Sequence, residues 1–350
     1  MLTILIGLGF AGVVIQRAMA PKPTASGRQP ARFLRFVVDP DWDSEQVAQE
    51  LQSAGLLDDP QVFHALVALS PDDLPSGEHW LTHGLSVLDL YQQLARGNGR
   101  DSARVTLPEG WDSFQMAERF EKLGICSAHS FRAAVRDPDV LGELGLALTS
   151  AEGHLFPETY DFHLNSPART VVVRLGKEAR WRMDALLGQH RKQFDELRQR
   201  FRWGAQELII LASVIERETG LELERPIVAS VFLNRLSDPD FRPRRSLGSD
   251  PTALYGCKLH GNSLESCDSD TKRVTPEMLR DAKNPYNTYR HSGLPPGPVG
   301  NPGEAALLAV LNPAKSEYFF FVADGHGGHK FSRTFAEHEA AIGPSPKDLK

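Results

Sequence analysis

The sequence predicts an α+β fold, and three observations predict it. Short apolar strands and helical stripes alternate through the first hundred residues, a nearly all-apolar helix occupies residues 206–219, and two strands flank a glycine-rich turn near the end. Phe33 to Val38 reads as a strand. Ser44 to Leu56 carries a helical stripe (Val47, Leu51, Leu56) with Ser44 as a plausible N-cap. Pro60 to Leu69 is a second helix, Trp80 to Thr82 a strand and Ser86 to Ala95 a further helix, closed by Arg96-Gly97-Asn98-Gly99. A second section starts at Val105–Pro108, has a helix from about Ser113 to Leu123, and runs on to Glu152–Tyr160.

From Ala168 to about Arg202, apolar residues from Val172 to Phe201 recur at helical spacing, so one long helix is expected, too polar on its other face to span a membrane. Gln206 to Thr219 follows, with Gly220 in the usual position for a helix stop. Another helix opens at Glu224-Arg225-Pro226 and runs to Leu236, with Pro226 suited to the first turn. The chain then reads as loop-rich to Gly303, with one shorter helix around Thr275 to Lys283. Pro302 to Leu311 is a last core helix, and Tyr318–Ala323 and His329–Ser332 form a hairpin about Asp324–Gly328.

Bulk properties narrow the function. A net charge of −6 over 350 residues gives no reason to expect a polyanionic partner, so nucleic acid is excluded as the target. No phosphate-binding glycine fingerprint and no solenoid repeat is present. Leu2 to Ile15 carry no charge, a run shorter than the roughly 18–20 residues that span a bilayer. Extended through Ala18-Met19-Ala20, with Arg17 snorkelling, it makes a short membrane anchor over 1–20, followed by a proline-containing linker over 21–31. A cleaved signal peptide is the rival reading, opposed by the missing basic n-region and by Pro21. The basic residues Arg17, Lys22, Arg28, Arg32 and Arg35 all follow the segment, which by charge alone favours the opposite orientation to an external catalytic part. Cys257 and Cys267, ten apart, can close a small loop in an oxidising compartment or stand as free thiols. His326 and His329 lie in an HGGH motif without a further ligand cluster, so neither metal nor cofactor is expected.

Chemistry is most concentrated at the end of the apolar helix. Glu218 follows Leu211 and Val214 along a core-facing stripe. Burial and the negative end of the helix dipole both oppose its charge, and both raise its pKa towards the range a general acid needs. A structural ion pair with Arg217, Arg225 or Arg235 is the competing reading, and position alone leaves both open. Residues 284–303, NPYNTYRHSGLPPGPVGNPG, have the composition of a rigid ordered loop whose tyrosines and asparagines suit a sugar. Ser249-Asp250-Pro251-Thr252 with Tyr255-Gly256 reads as an Asx-type turn, or as a substrate contact.

Five motifs in order, LASVIERETG (211–220), ERPIVASVFLNRL (224–236), SDPTALYG (249–256), the 284–303 loop and YFFFVADGHGGHKFS (318–332), resemble the endolytic murein transglycosylases of the YceG-like family. EGHLFPETYDF (152–162) and VTLPEG (105–110) are similar to its middle section, and 77–97 to its LysM-like module. The resemblance implies a LysM-like module over 32–103, a middle section over 104–165, a catalytic domain over 166–343 and a tail over 344–350. It implies a single-pass inner-membrane protein with its catalytic part in the periplasm or outside, working beside glycan-polymerising synthases. The implied substrate is the peptidoglycan glycan strand, cut without water between N-acetylmuramic acid and N-acetylglucosamine to leave 1,6-anhydro ends. Matching Glu-x-Glu-Thr gives Glu218 as the catalytic acid, with Glu216 as the fallback. Asn234, Asp250, Thr252, Tyr255, Tyr286, Asn287 and Tyr289 are candidates to grip the sugar. Three departures stand out: Ser237–Leu247 and Cys257–Arg273 are longer than the family leads one to expect, and Gly248 stands where a glutamine is common. A hydrolase using Asp250 as a second carboxylate and a non-catalytic glycan-binding scaffold are the alternatives.

Overall fold

The computed structural model describes residues 33–39, 41–69, 74–82, 85–95, 102–243, 245–267 and 273–342. The expected anchor, linker and tail lie outside them. The chain divides into two units. One runs to Thr106 and adds Met116–Ala134 and Thr159–Val172; the other comprises Leu107–Gln115, Val135–Glu158 and the chain from Val173 onwards. Stretches of 104–165 therefore contribute to both.

In the first unit, β1 (Phe33–Val38) pairs antiparallel with β2 (Gly77–Thr82), with α1 (Ser44–Ser53) and α2 (Pro60–Ala68) between them and α3 (Val87–Ala95) after. Helical stripes from all three helices supply its core: Val47, Leu51, Phe63, Leu90 and Leu94, with Leu81 from the sheet. Asp43, not Ser44, caps α1. Its carboxylate accepts from the amides of Glu45 and Gln46 while the Gln46 side chain returns a bond to the Asp43 amide. The Ser44 hydroxyl instead meets Nδ1 of His64 at 3.0 Å. A second pair, β3 (Ser102–Thr106) with β4 (Thr159–His163), packs Phe162 edge-on to Phe120 of α4 (Ser113–Lys122), and Phe120 also meets Phe131 of α5 (Ala128–Ala134). The sequence reading contained neither β4 nor α5.

In the second unit, α6 (Pro138–Glu143) precedes the long helical stretch, which is two helices and not one. α7 (Ala168–Gln189) and α8 (Arg191–Phe201) are separated at His190, whose φ of −112° and ψ of 34° interrupt the helical backbone. The apolar periodicity continues through the break and conceals it: Leu186 before it and Leu197 after it enter the same core. α9 (Ala205–Glu218) is buried from Leu208 through Ile215 and packs with α10 (Arg225–Ser237) and, later in the chain, α13 (Glu304–Leu311). Gly220 is not a left-handed helix stop. Thr219 already leaves the helix in extended geometry, at φ −137° and ψ 131°. A helix that the reading missed, α11 (Asp250–His260), begins at the supposed Asx turn. Pro251 in its first turn and Gly256 within it suppress the helical signal. α12 (Pro276–Arg280) is shorter than expected, β5 (Phe320–Ala323) and β6 (His329–Ser332) form the expected hairpin, and an unexpected α14 (Phe335–Ile342) follows. Cys257 and Cys267 are joined as a disulfide, and Cys126 is buried and free. No helix among the described residues is long and apolar enough to cross a membrane.

The loop 284–303 is held by side-chain amides instead of regular structure. Asn284, fully buried, donates to the carbonyl of Ala253 at 2.9 Å and accepts from the Tyr286 amide at 3.0 Å. This requires Gly256 on α11, where a Cβ would lie 2.0 Å from Asn284 Oδ1. Gly256→Ala is therefore expected to cost about 1–3 kcal/mol in chemical denaturation, since the amide must leave its two partners to make room. A wild-type midpoint would show that the loop is not locked here.

Candidate active site

α9 delivers two glutamates in its last turn, and their surroundings differ completely. Glu216 accepts from Nη2 of Arg225 at 2.5 Å and from the Gly303 amide at 3.0 Å, and Arg225 also reaches Glu109 at 3.3 Å. Arg217 donates to Asp112 at 3.2 Å and to the carbonyl of Val299 at 3.1 Å. Two of the three arginines offered as partners for Glu218 are thus committed to other acids. The third, Arg235, is buried and gives its Nε to the carbonyl of Phe319 at 2.6 Å and its Nη1 to that of Leu247. Its guanidinium carbon lies 5.5–5.8 Å from the ring centres of Phe232, Phe241, Phe320 and Phe321.

Glu218 is left with a buried Oε1 that has no hydrogen-bond partner, at the edge of a cavity of about 550 Å³. Arg235, Asp250, Tyr289, His329 and Phe241 share that lining. Burial pushes the Glu218 carboxyl up to about 7. The nearby Ser249 hydroxyl, itself buried without a partner meeting hydrogen-bond geometry, works against this. The charge of Asp250 adds to the rise, while Arg235 and His329 oppose it. Burial likewise brings Arg235 down to about 10, so it stays charged at neutral pH.

Of the sequence candidates, the structure brings Asp250 and Tyr289 to the cavity with Glu218. Tyr289 Oη donates to Asp250 Oδ1 at 2.7 Å, and burial together with that bond raises the phenol pKa, keeping it neutral. The other five do not line it. Asn234 donates to the carbonyls of Ser316 and Tyr318, both at 3.0 Å. Thr252 bonds the Ser249 carbonyl at 2.6 Å and Thr288 at 2.9 Å. Asn287, fully buried, spends its amide on the carbonyls of Met278, Leu279 and Asp281. Tyr255 donates to the buried Glu152 at 3.1 Å, and Tyr286 packs against its ring at 5.2 Å.

His329, weighed in the sequence only as a metal ligand, lines the cavity with Nδ1 2.7 Å from Glu224. No group of three or more metal-ligating side chains occurs among the described residues. Its alternation with Phe331 along β6 was the available signal. Phe241, in the long segment 237–247, had none.

The second unit thus presents a carboxyl group with a buried, unpartnered Oε1 beside an aromatic-walled cleft. A sequence profile of the YceG-like family matches residues 36–343, and the chain belongs to that family. It is 26% identical over 281 residues to the endolytic murein transglycosylase of Bacillus subtilis (strain 168), covering 76% of this chain and 71% of that protein. It is 28% identical over 329 residues to the endolytic murein transglycosylase of Streptococcus pneumoniae serotype 2 (strain D39 / NCTC 7466), covering 84% of this chain. The chain spans 56% of that streptococcal relative. A crystal structure of a YceG-like protein from Listeria monocytogenes shares the fold, with a TM-score of 0.56 and 23% identity over 89% of this chain and 99% of that one.

The contrast between the two glutamates gives opposite expectations. Glu216→Gln breaks a buried ion pair and is expected to cost roughly 3 kcal/mol. Glu218→Gln removes a carboxyl whose folded pKa, about 7, lies above its ordinary 4.5. Such a group disfavours the folded state once ionised, so the variant is expected to gain stability as pH rises from 4.5 through 7. The gain is at most about 3 kcal/mol and vanishes below pH 4.5. Parallel urea titrations at pH 4 and pH 8 check both; an Glu218→Gln protein less stable at pH 8 than wild type would contradict the assignment.

Proposed function

We propose that this protein is a peptidoglycan lytic transglycosylase that cuts glycan strands internally, between N-acetylmuramic acid and N-acetylglucosamine, with Glu218 as its acid and base. The observation that carries the reading is the Glu218 carboxyl, pushed up to about 7 with a buried and unpartnered Oε1, at a cavity of about 550 Å³. Kinship with the two murein transglycosylases supports the substrate class.

In this mechanism the protonated Glu218 gives its proton to the glycosidic oxygen, and the bond from that oxygen to the muramyl anomeric carbon breaks. The N-acetylglucosamine leaves with a free 4-hydroxyl. The muramyl 6-hydroxyl oxygen attacks the anomeric carbon, its proton passes to the Glu218 carboxylate, and the acid is restored. No water is consumed, so one carboxyl group suffices where a hydrolase needs two. Charged Arg235, held in its aromatic cage, lies close enough to favour the carboxylate form midway through the cycle. Tyr289 and Asp250, which line the cavity, are the sequence candidates that the proposal assigns to hydrogen-bonding the sugar. The disulfide and a wall substrate both fit a catalytic part outside the cytoplasm. Membrane anchoring, a LysM-like role for the first unit and work beside glycan-polymerising synthases belong to the same proposal.

The test is a digest of purified glycan strands by the full chain, with Glu218→Gln in parallel and products read by mass. Fragments one water lighter than hydrolysis products, absent with the variant, are expected. Reducing ends would favour a hydrolase using Asp250, and no cleavage at all would favour a glycan-binding scaffold. The pH profile follows from the sign of the shift. Because the first step needs the protonated carboxyl, kcat/KM is expected to fall as pH rises above about 7. A rate still climbing to pH 9 would mean that Glu218 is not the acid.

A further inference from the structure

Beside Glu218, the cavity wall carries an imidazole whose orientation is fixed from behind. The carboxylate of Glu224 grips His329 at two points: Oε1 accepts from its backbone amide at 2.9 Å and Oε2 meets Nδ1 at 2.7 Å. Thr219, the residue after Glu218, donates its hydroxyl to the same Oε2 at 3.1 Å, and that hydroxyl accepts from the Leu221 amide at 3.1 Å. The HGGH motif serves this grip. A Cβ on Gly328 would lie 2.9 Å from Glu224 Oε1, so glycine before the histidine admits the carboxylate. Asp324 closes the turn by accepting from the amides of His326 and Gly328.

The tautomer follows from this arrangement. Burial alone would raise the Glu224 pKa, yet the bonds from His329 and Thr219 outweigh it and hold the carboxyl below its ordinary range, hence ionised. An ionised carboxylate only accepts, so Nδ1 carries a proton, and with a single proton on the ring the lone pair lies on Nε2. His329 lines the same cavity as Glu218. Carboxylate-fixed imidazoles of this kind recur wherever a protein needs one ring nitrogen held in a set role.

We infer that His329 is a substrate-contacting residue whose Nε2 accepts a hydrogen bond from the hydroxyl of the sugar bound beside Glu218, and that Glu224 and Thr219 are positioning residues for it. Building on the proposed transglycosylase reaction, the hydroxyl is the muramyl 6-hydroxyl. His329 turns its oxygen lone pair towards the anomeric carbon and its proton stays on oxygen until Glu218 takes it. No proton is transferred to the imidazole, so the atom balance of the reaction is unchanged.

Three full-length variants test the assignment. His329→Asn places an amide where Nδ1 was, keeping the bond to Glu224 but offering nothing at the Nε2 position. It is expected to melt within a degree or two of wild type and to lose kcat on the order of 10²-fold, the size of effect a misplaced reacting group produces. His329→Gln, which puts an amide near the Nε2 position, is expected to recover much of that loss. Glu224→Gln presents an amide donor to Nδ1 and so favours the other tautomer; the ring 15N shifts of His329 should move from an Nδ1–H to an Nε2–H pattern, with kcat falling similarly. An active wild type with an equally active His329→Asn protein would overturn the inference, because the histidine would then be only a structural partner of Glu224. An Nε2–H ring in the wild type would overturn it without reference to activity. An inactive wild type whose tautomer is as stated would instead count against the transglycosylase reading and leave the orientation of His329 standing.

Discussion

The unequal distribution of counter-charges around the end of α9 sets up everything else in the candidate site. Of the four acids in residues 216–224, three matter here: Glu216 and Glu218 in the last turn of α9, where the helix dipole opposes negative charge, and Glu224 at the start of α10. Arg225 and the Gly303 amide neutralise the first, and His329 and Thr219 satisfy the third. Only the middle one faces the cleft without a donor in hydrogen-bond geometry on its buried oxygen. An isolated buried carboxyl costs folding energy and survives only because its neighbours on both sides are so well tied down. Glu216 anchors the helix end to Arg225 and to the start of α13, and the next turn of chain is pinned through Glu224 to the β5–β6 hairpin.

The frame around that acid is built largely from side-chain amides. Asn284, Asn287 and Asn301 are each fully buried, and each bonds backbone groups that regular structure would otherwise pair. Asn301 also joins Tyr255 and Ser113 on the buried Glu152. This explains how a loop with so many prolines and glycines is held in place: its backbone polar groups are met by buried asparagine amides. The same fact accounts for the polar residues that looked suited to sugar but turn inward.

The legible parts of the sequence were those governed by local periodicity and by charge at a helix end. β1, α2, α3, α9, α10 and the terminal hairpin follow from apolar spacing and turn residues, whereas Glu218 was singled out by the Glu-x-Glu-Thr motif and not by its position alone. The break at His190 was hidden because the apolar rhythm runs straight through it. α11 was hidden for the opposite reason, since Pro251 and Gly256 dilute a helix that tertiary packing demands. The choice between Glu216 and Glu218 could not be made from spacing, because it depends on where Arg225 goes, and Arg225 is nine residues away around a turn. His329 entered the site through a contact 105 residues long in sequence, beyond the reach of any local pattern.

One further consequence attaches to the segment 237–247, whose Phe241 stacks on Phe319 at 5.7 Å and forms part of the cleft wall. Glu218, Arg235 and His329 sit on α9, α10 and β6, whereas this wall is a loop between helices, joined to them by ring contacts with Arg235, Phe319 and Phe320 and by the bond from Arg235 to the Leu247 carbonyl. On the proposed reaction, reshaping this loop would change the wall of the cleft without altering Glu218, Arg225 or His329, so the shape of what the cleft admits and the chemistry within it rest on different parts of the chain.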